Sequence, residues 1–293
     1  MISVYLNDIF SIFDIEKSKI NILAIKSLVT SMHLNKLCSI EKQRITFDKF
    51  IFEEIWYFYC KCMVIFDTNY NTKQDLNSFF DYLIKCILNS QKINFAAVFC
   101  PGYTAHGYKN YLGTTTKNKL IMLQYLYGLF INNNLPINLT CYYADVFLEN
   151  CDFSLEPNWE QQLEYNKQLF YLEGLKYFDK SCLANLSDIG IFSTSDNIRG
   201  YIDTEVINSV SASVYRIFKE SNERFYKTLN FSKQQSDIRS DKLLTIYKLF
   251  SDYLNQRNNS IYLPMENMYD RCHVFSKNNT CTMYLKLRKV KED

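Results

Sequence analysis

The stretch Ile93-Asn94-Phe95-Ala96-Ala97-Val98-Phe99-Cys100 is the tightest constraint on what this chain can fold into. It is a short, almost unbroken apolar run stopped by Pro101-Gly102. A run of that kind suits a strand buried on both faces, and such strands sit in parallel sheets covered by helices. The segment that follows agrees. Leu120, Leu123, Leu126, Tyr127 and Phe130 recur at helical spacing, Asn132-Asn133-Asn134-Leu135-Pro136 stops the helix, and Leu139-Thr140-Cys141-Tyr142-Tyr143-Ala144-Asp145-Val146 reads as a second strand. Strand, loop, helix, strand is a βαβ unit.

The flanking sequence extends this α/β reading. Residues 1–90 carry apolar positions at helical spacing, as in Phe79, Phe80, Leu83, Ile84, Ile87 and Leu88, without a glycine or proline, and predict a helical N-terminal region. Downstream, the pattern predicts helices at 159–178, about 204–229 and 237–256, and strands at 189–193, 260–263 and 282–287, the last pair completing a mixed sheet. The expected architecture is a Rossmann-like, mostly parallel sheet flanked by helices over residues 91–293, with the helical region of residues 1–90 packed on it.

Composition excludes some classes. Lys and Arg number 33 against 31 Asp and Glu, a net charge of +2, without the basic excess of a dedicated nucleic-acid binder. The 10 cysteines are scattered, mostly inside apolar runs, and read as reduced core thiols rather than a disulfide scaffold. The opening MISVYLNDIFSIFDIEK lacks a basic region before an apolar stretch, and no apolar run approaches bilayer length, so the expectation is a cytoplasmic protein without membrane contact. The 23 Tyr and 22 Phe, with abundant Asn and Lys, are consistent with nucleotide bias rather than function.

Three strand ends carry the candidate chemistry. The first is the stretch 101–117, which holds three of the seven glycines and one of the three histidines. Ligands of open α/β sheets bind beyond the carboxyl ends of the strands, where backbone N–H groups and a helix N-terminus converge. Here Tyr103, Thr104 and His106 are candidates to contact a reacting centre, Thr114, Thr115 and Thr116 offer hydroxyls and a helix cap, and Lys109 and Lys117 can hold a phosphate or carboxylate. Glycines that merely satisfy turns and threonines that merely cap a helix are the plain alternative. Neither GxGxxG nor GxxxxGK[ST] is present, so no nicotinamide or P-loop site is expected.

The second end carries Asp145, with Glu149 and Asp152 beyond it. A carboxylate there can bind an amino group or act as a base, or simply begin a turn. The third follows a late strand, where Glu266, Asp270, Arg271 and His273 combine a base with an anion clamp, or form ordinary surface pairs. A metal site is not expected, because Cys60 and Cys62 lie two apart and no other Cys or His pair has ligand spacing. A nucleophilic pair of Cys100 with His106 competes with a core role for Cys100. The basic residues of 204–257 form either a weak RNA-binding face or an ordinary solvated one.

The order of features over residues 83–150 resembles the isocyanide (isonitrile) synthases. An amphipathic helix leads to the strand 93–100 with its Phe-x-Pro turn, then Lys109, Leu112-Gly113, a second helix, and a strand ending at Asp145. The resemblance implies a biosynthetic enzyme that converts the amine of an aromatic amino acid to an isonitrile, with a pentulose phosphate as carbon donor. Where those enzymes commonly carry Lys-Ser and Pro-Asp pairs, this chain has Tyr103-Thr104 and Thr115-Thr116-Lys117. The same order is similar to the cyclodipeptide synthases, relatives of class I aminoacyl-tRNA synthetases, which implies charged tRNA as a partner and Thr104 in place of their serine. The resulting expectation is a transferase or synthase acting on an amino acid without a cofactor. Lys109, Asp145, Glu266 and His106 would carry the chemistry, and Tyr103, Thr104, Thr116, Lys117, Asp270 and Arg271 would bind substrate. A non-catalytic binding protein on the same fold is the reading from a different class.

Overall fold

The computed structural model describes residues 36, 55, 58, 59, 62 and 66, and residues 73–99, 103–104, 107–108, 114–147, 158–192, 202–228, 230–257, 260–264 and 281–283. Within these the chain forms two compact units. One takes the described residues up to Ile93, then Ile121–Ile137 and Met283; the other takes those of Asn94–Leu120 and Asn138–Thr282.

In the first unit, helix α1 (Lys73–Leu88) buries Leu76, Phe79, Phe80 and Leu83, the one-sided stripe that a 3.6-residue period dictates. Aromatic rings supply much of the packing there. Tyr59 lies 4.7 Å from Phe80, Phe66 meets Phe79 edge-on at 5.2 Å, and Phe58 meets Phe130 at 4.6 Å. The buried Tyr59 hydroxyl donates to the Leu76 carbonyl at 3.2 Å.

The second unit is organised on a four-stranded parallel sheet, whose first strand is β1 (Ile93–Phe99). A short antiparallel ribbon, β2 (Tyr103–Thr104) with β3 (Gly107–Tyr108), comes next, followed by helix α2 (Thr114–Asn132), whose residues from Ile121 onward belong to the first unit. Asn134, at φ 57°, turns the chain out of α2 as the αL residue of a helix stop. Then come β4 (Ile137–Tyr143), a single helical turn α3 (Asp145–Phe147), α4 (Trp159–Gly174) and β5 (Leu183–Asn185). Helices α5 (Thr204–Ser209), α6 (Ala212–Thr228) and α7 (Lys233–Gln256) lead to β6 (Ile261–Pro264). The sheet order is β5-β4-β1-β6, and the alternation of elements makes the fold α/β and Rossmann-like. Counting only sheet strands, this is the order 3-2-1-4, with the chain winding outward from β1 to one side and then crossing to the other.

Both faces of this sheet are covered. On one, Phe170 of α4 is fully buried, with its ring 5.2 Å from Phe99 and 5.7 Å from Tyr143. On the other, Phe250 of α7 stands edge-on to Tyr142 at 5.7 Å and to Tyr262 at 6.0 Å. Helix α7 starts with a capping box: Ser232 Oγ accepts from the Gln235 N–H, and Gln235 Oε1 accepts from the Ser232 N–H.

Three expectations need correction. The strand expected at 189–193 is absent over 189–192; the Phe192 N–H bonds to the Ile189 carbonyl at 2.7 Å in a turn, and the real strand is the three-residue β5 just before it. The single helix expected over 204–229 breaks near Val210, where the N–H bonds back three residues to Ile207. The sheet is parallel rather than mixed: of the expected strand 282–287, Thr282 makes a parallel bridge to Tyr262, and residues 284–287 lie outside the described residues. Among the described residues no helix is long and apolar enough to cross a membrane.

Phe170→Ala should cost about 3–5 kcal/mol, because it empties a ring-sized site against two strands. Leu172→Ala, two residues away but 64% exposed, should change stability by less than about 0.5 kcal/mol. Urea unfolding of both variants checks the pair, and equal losses would contradict the assignment of α4's buried face.

Candidate functional site

Parallel pairing fixes what lies next to what at the carboxyl edge. Val98 pairs with Pro264 and Ala97 with Leu263, so β1 and β6 end side by side. On β1's other edge, the Ala144 N–H donates to the Phe99 carbonyl at 2.8 Å, which brings the end of β4 level with the end of β1. All three stretches singled out in the sequence therefore leave neighbouring strand ends in the order β4, β1, β6. The strand order reverses between β1 and β6, and it is beside such a reversal that open α/β sheets bind their ligands.

The individual residues fall in different places. Lys109, His106, Glu266, Asp270 and Arg271 lie outside the described residues, as do Glu149, Asp152, Cys100 and His273. Tyr103 and Thr104 form one strand of the β2–β3 ribbon, with Tyr103 opposite Tyr108, Thr104 opposite Gly107, and two residues joining them. Thr116 is half-buried and Lys117 exposed in the first turn of α2. The Lys117 charge acts on Glu173 of α4, whereas the cation acting on Asp145 is Lys167.

Asp145 is the candidate whose surroundings are best defined. It stands two residues past β4 and is 6% exposed. One carboxylate oxygen, Oδ1, accepts from the Val146 N–H at 2.9 Å and the Ser187 N–H at 3.1 Å. The other, Oδ2, accepts from the Ser187 hydroxyl. Ser187 lies in the 3₁₀ turn Leu186–Asp188 directly after β5, so Asp145 ties together the ends of two neighbouring strands. Burial pushes the Asp145 carboxyl above its ordinary range; the Ser187 hydroxyl and N–H, the Val146 N–H and Lys167 oppose the shift without cancelling it.

The same turn is fastened from within. Asp188 Oδ2 accepts from the Asn185 N–H at 2.8 Å and its side-chain amide at 3.0 Å. Two carboxylates thus converge near Tyr171, whose hydroxyl is pushed up to about 12 by burial first, and then by Asp188 and Asp145. Ser187, Asp188 and Tyr171 were not singled out from the sequence. The Asn-Leu-Ser-Asp string reads as a turn, but a partner 42 residues away leaves no local pattern.

Other sequence candidates find ordinary surroundings. In α6 and α7, Lys219 lies 3.3 Å from both Asp237 and Asp241, Lys248 is 2.7 Å from Asp252, and Arg216 is 3.9 Å from Glu220. Arg239 stacks on Phe231 at 4.5 Å. These contacts take up much of the positive charge that an RNA-binding face would need. Cys86, Cys141 and Cys182 are thiols, and burial raises the pKa of each. Among the described residues no group of three or more His, Cys, Asp or Glu is placed to hold a metal ion.

Comparison with known proteins found no matching family model, no similar curated protein and no similar solved structure.

Asp145→Ala should destabilise by about 1–3 kcal/mol, since it strands buried donors of Ser187 and Val146, while Asp145→Asn should cost less because it can still accept at one atom. The pH dependence has a definite sign. A carboxyl whose folded pKa is raised binds its proton more tightly when folded, so its contribution falls as pH rises above 3.8 through the raised value. The stability of wild type relative to Asp145→Asn should therefore decline on raising the pH through that window; a rising difference in urea titrations would contradict the burial argument.

Proposed function

We propose that the protein is an enzyme of small-molecule biosynthesis acting on an amino acid or a derivative of one, with its substrate in the crevice between the ends of β1 and β6. The observation that carries this reading is the Val98–Pro264 pairing, since it makes neighbours of the strand ends that lead into the two stretches richest in chemistry-bearing residues. One contributes Lys109, His106, Tyr103 and Thr104; the other contributes Glu266, Asp270 and Arg271.

In this reading Lys109 and Arg271 bind anionic groups, Tyr103, Thr104 and His106 contact the reacting centre, and Glu266 or Asp270 serves as the base. Asp145 serves the site as a positioning residue, because its contacts hold the neighbouring β5 turn. The finer form of the proposal, supported by the resemblance over residues 83–150, is an isonitrile-forming reaction on an aromatic amino acid with a pentulose phosphate as carbon donor. Transfer from charged tRNA has less support, because Lys219 and Lys248 are held in carboxylate pairs.

Thermal unfolding with L-tyrosine, a pentulose phosphate, or charged tRNA checks the proposal, because a ligand of the native state raises the melting temperature by mass action. The expected result is stabilisation by tyrosine or the sugar phosphate that is lost in both Lys109→Ala and Glu266→Ala. Stabilisation by charged tRNA alone would replace this reading with aminoacyl transfer, and stabilisation that survives both substitutions would remove the site from this crevice.

A further inference from the structure

A second concavity lies at the opposite, amino-terminal end of the same sheet. Its volume is about 370 Å³, and it is lined by Asn94, Asn138, Thr140, Tyr253, Arg257 and Ser260 over a floor that includes Ala96 and Tyr142. That volume falls within the roughly 300–1,000 Å³ typical of small-molecule sites.

The sequence pattern along the strands gives the lining its meaning. Side chains alternate across a strand, so Asn94 and Ala96 of β1 share a face with Asn138, Thr140 and Tyr142 of β4. This is the face that α7 covers through Phe250. A sheet face under a helix is ordinarily apolar, yet here three of those five positions are polar and border the cavity. The Asn138 amide donates to Asn94 Oδ1 at 3.2 Å, which sets the amides of adjacent strands in a fixed relation.

Arg257 supplies the charge. Among the described residues it is the one ionised side chain of the lining, and no carboxylate pairs with it. Its guanidinium lies over the Tyr253 ring, 4.8 Å from the centroid. Stacking occupies a face of the guanidinium and leaves its in-plane N–H donors to meet the planar fork of a carboxylate or phosphate. A cation beside a helix C-terminus also offsets the helix dipole, but here the terminal carbonyls have other donors: the Arg257 N–H bonds to Tyr253 and the Ser260 N–H to Leu254, each at 3.2 Å.

From the cavity, its polar strand face and the stacked guanidinium, we infer a binding site for a small oxyanion-bearing molecule, with Arg257 on the oxyanion and Asn138 and Thr140 on its neutral polar groups. The site is separate from the carboxyl-edge crevice. It lies at the start of β6, the strand whose far end borders that crevice.

Calorimetric titration and thermal unfolding of the full chain test this with three probes: inorganic phosphate, benzoate, and the neutral analogue benzamide. Phosphate or benzoate should bind and raise the melting temperature while benzamide does not, and whichever anion binds identifies the oxyanion class. Arg257→Gln should weaken that binding at least about tenfold, and Arg257→Lys should fall between, since it keeps the charge but loses the fork. Because Arg257 is exposed, the unliganded melting temperature of both variants should stay near wild type. Thr140→Val should weaken benzoate or phosphate binding less than Arg257→Gln does. Absence of binding by both anions, binding undiminished in Arg257→Gln, or equal binding of benzamide would overturn the inference.

Discussion

The pairing of β1 on both of its edges is the constraint on which the second unit depends. A strand with β4 on one side and β6 on the other has its polar backbone enclosed, so its N–H and C=O groups must be satisfied within the sheet. Helices on both faces add the demand that its side chains be apolar, and Phe95 through Phe99 are all at most 4% exposed. Only the start of the strand relaxes this demand, at Asn94, and there the sheet opens into a cavity instead of a packed layer.

The make-up of the carboxyl edge follows from topology more than from any one side chain. Because β1 is flanked on one side by the next strand of the sheet and on the other by the last, strand ends as far apart in sequence as Val98 and Pro264 lie next to each other. The Asp145–Ser187 fastening stabilises the flank of that edge by linking β4 to the turn after β5. A buried carboxylate is costly unless its lone pairs are used, and three donors from two segments use them here. The result is a hydrogen-bonded border beside the proposed crevice.

Much of the βαβ segment was legible in the sequence because its signals are local. The strand 93–99 announced itself through an apolar run and a Pro-Gly stop, and α2 through spacing and an Asn-rich end. What escaped was short or long-range. Leu183-Ala184-Asn185 is too brief to show alternation, while the apolar Ile189-Gly190-Ile191-Phe192 looked more strand-like but forms a turn, with Ile191 42% exposed. The helix break near Val210 carries no glycine or proline to mark it. In the site, Asp145 was recognisable from its place after a strand; Ser187, Asp188 and Tyr171 were not, because their connection to it exists only once β4 and β5 have paired.

With β1 between β4 and β6, the stretches that follow β1 and β6 leave adjacent strand ends. Methyl NOE spectroscopy on the protein labelled at alanine and leucine methyl groups tests this most directly. Cross-peaks are expected between Ala97 and Leu263, which face each other in the paired strands. Cross-peaks from Leu263 to the Leu183 and Ala184 methyls of β5 in their place would put β6 on the far side of the sheet and contradict it.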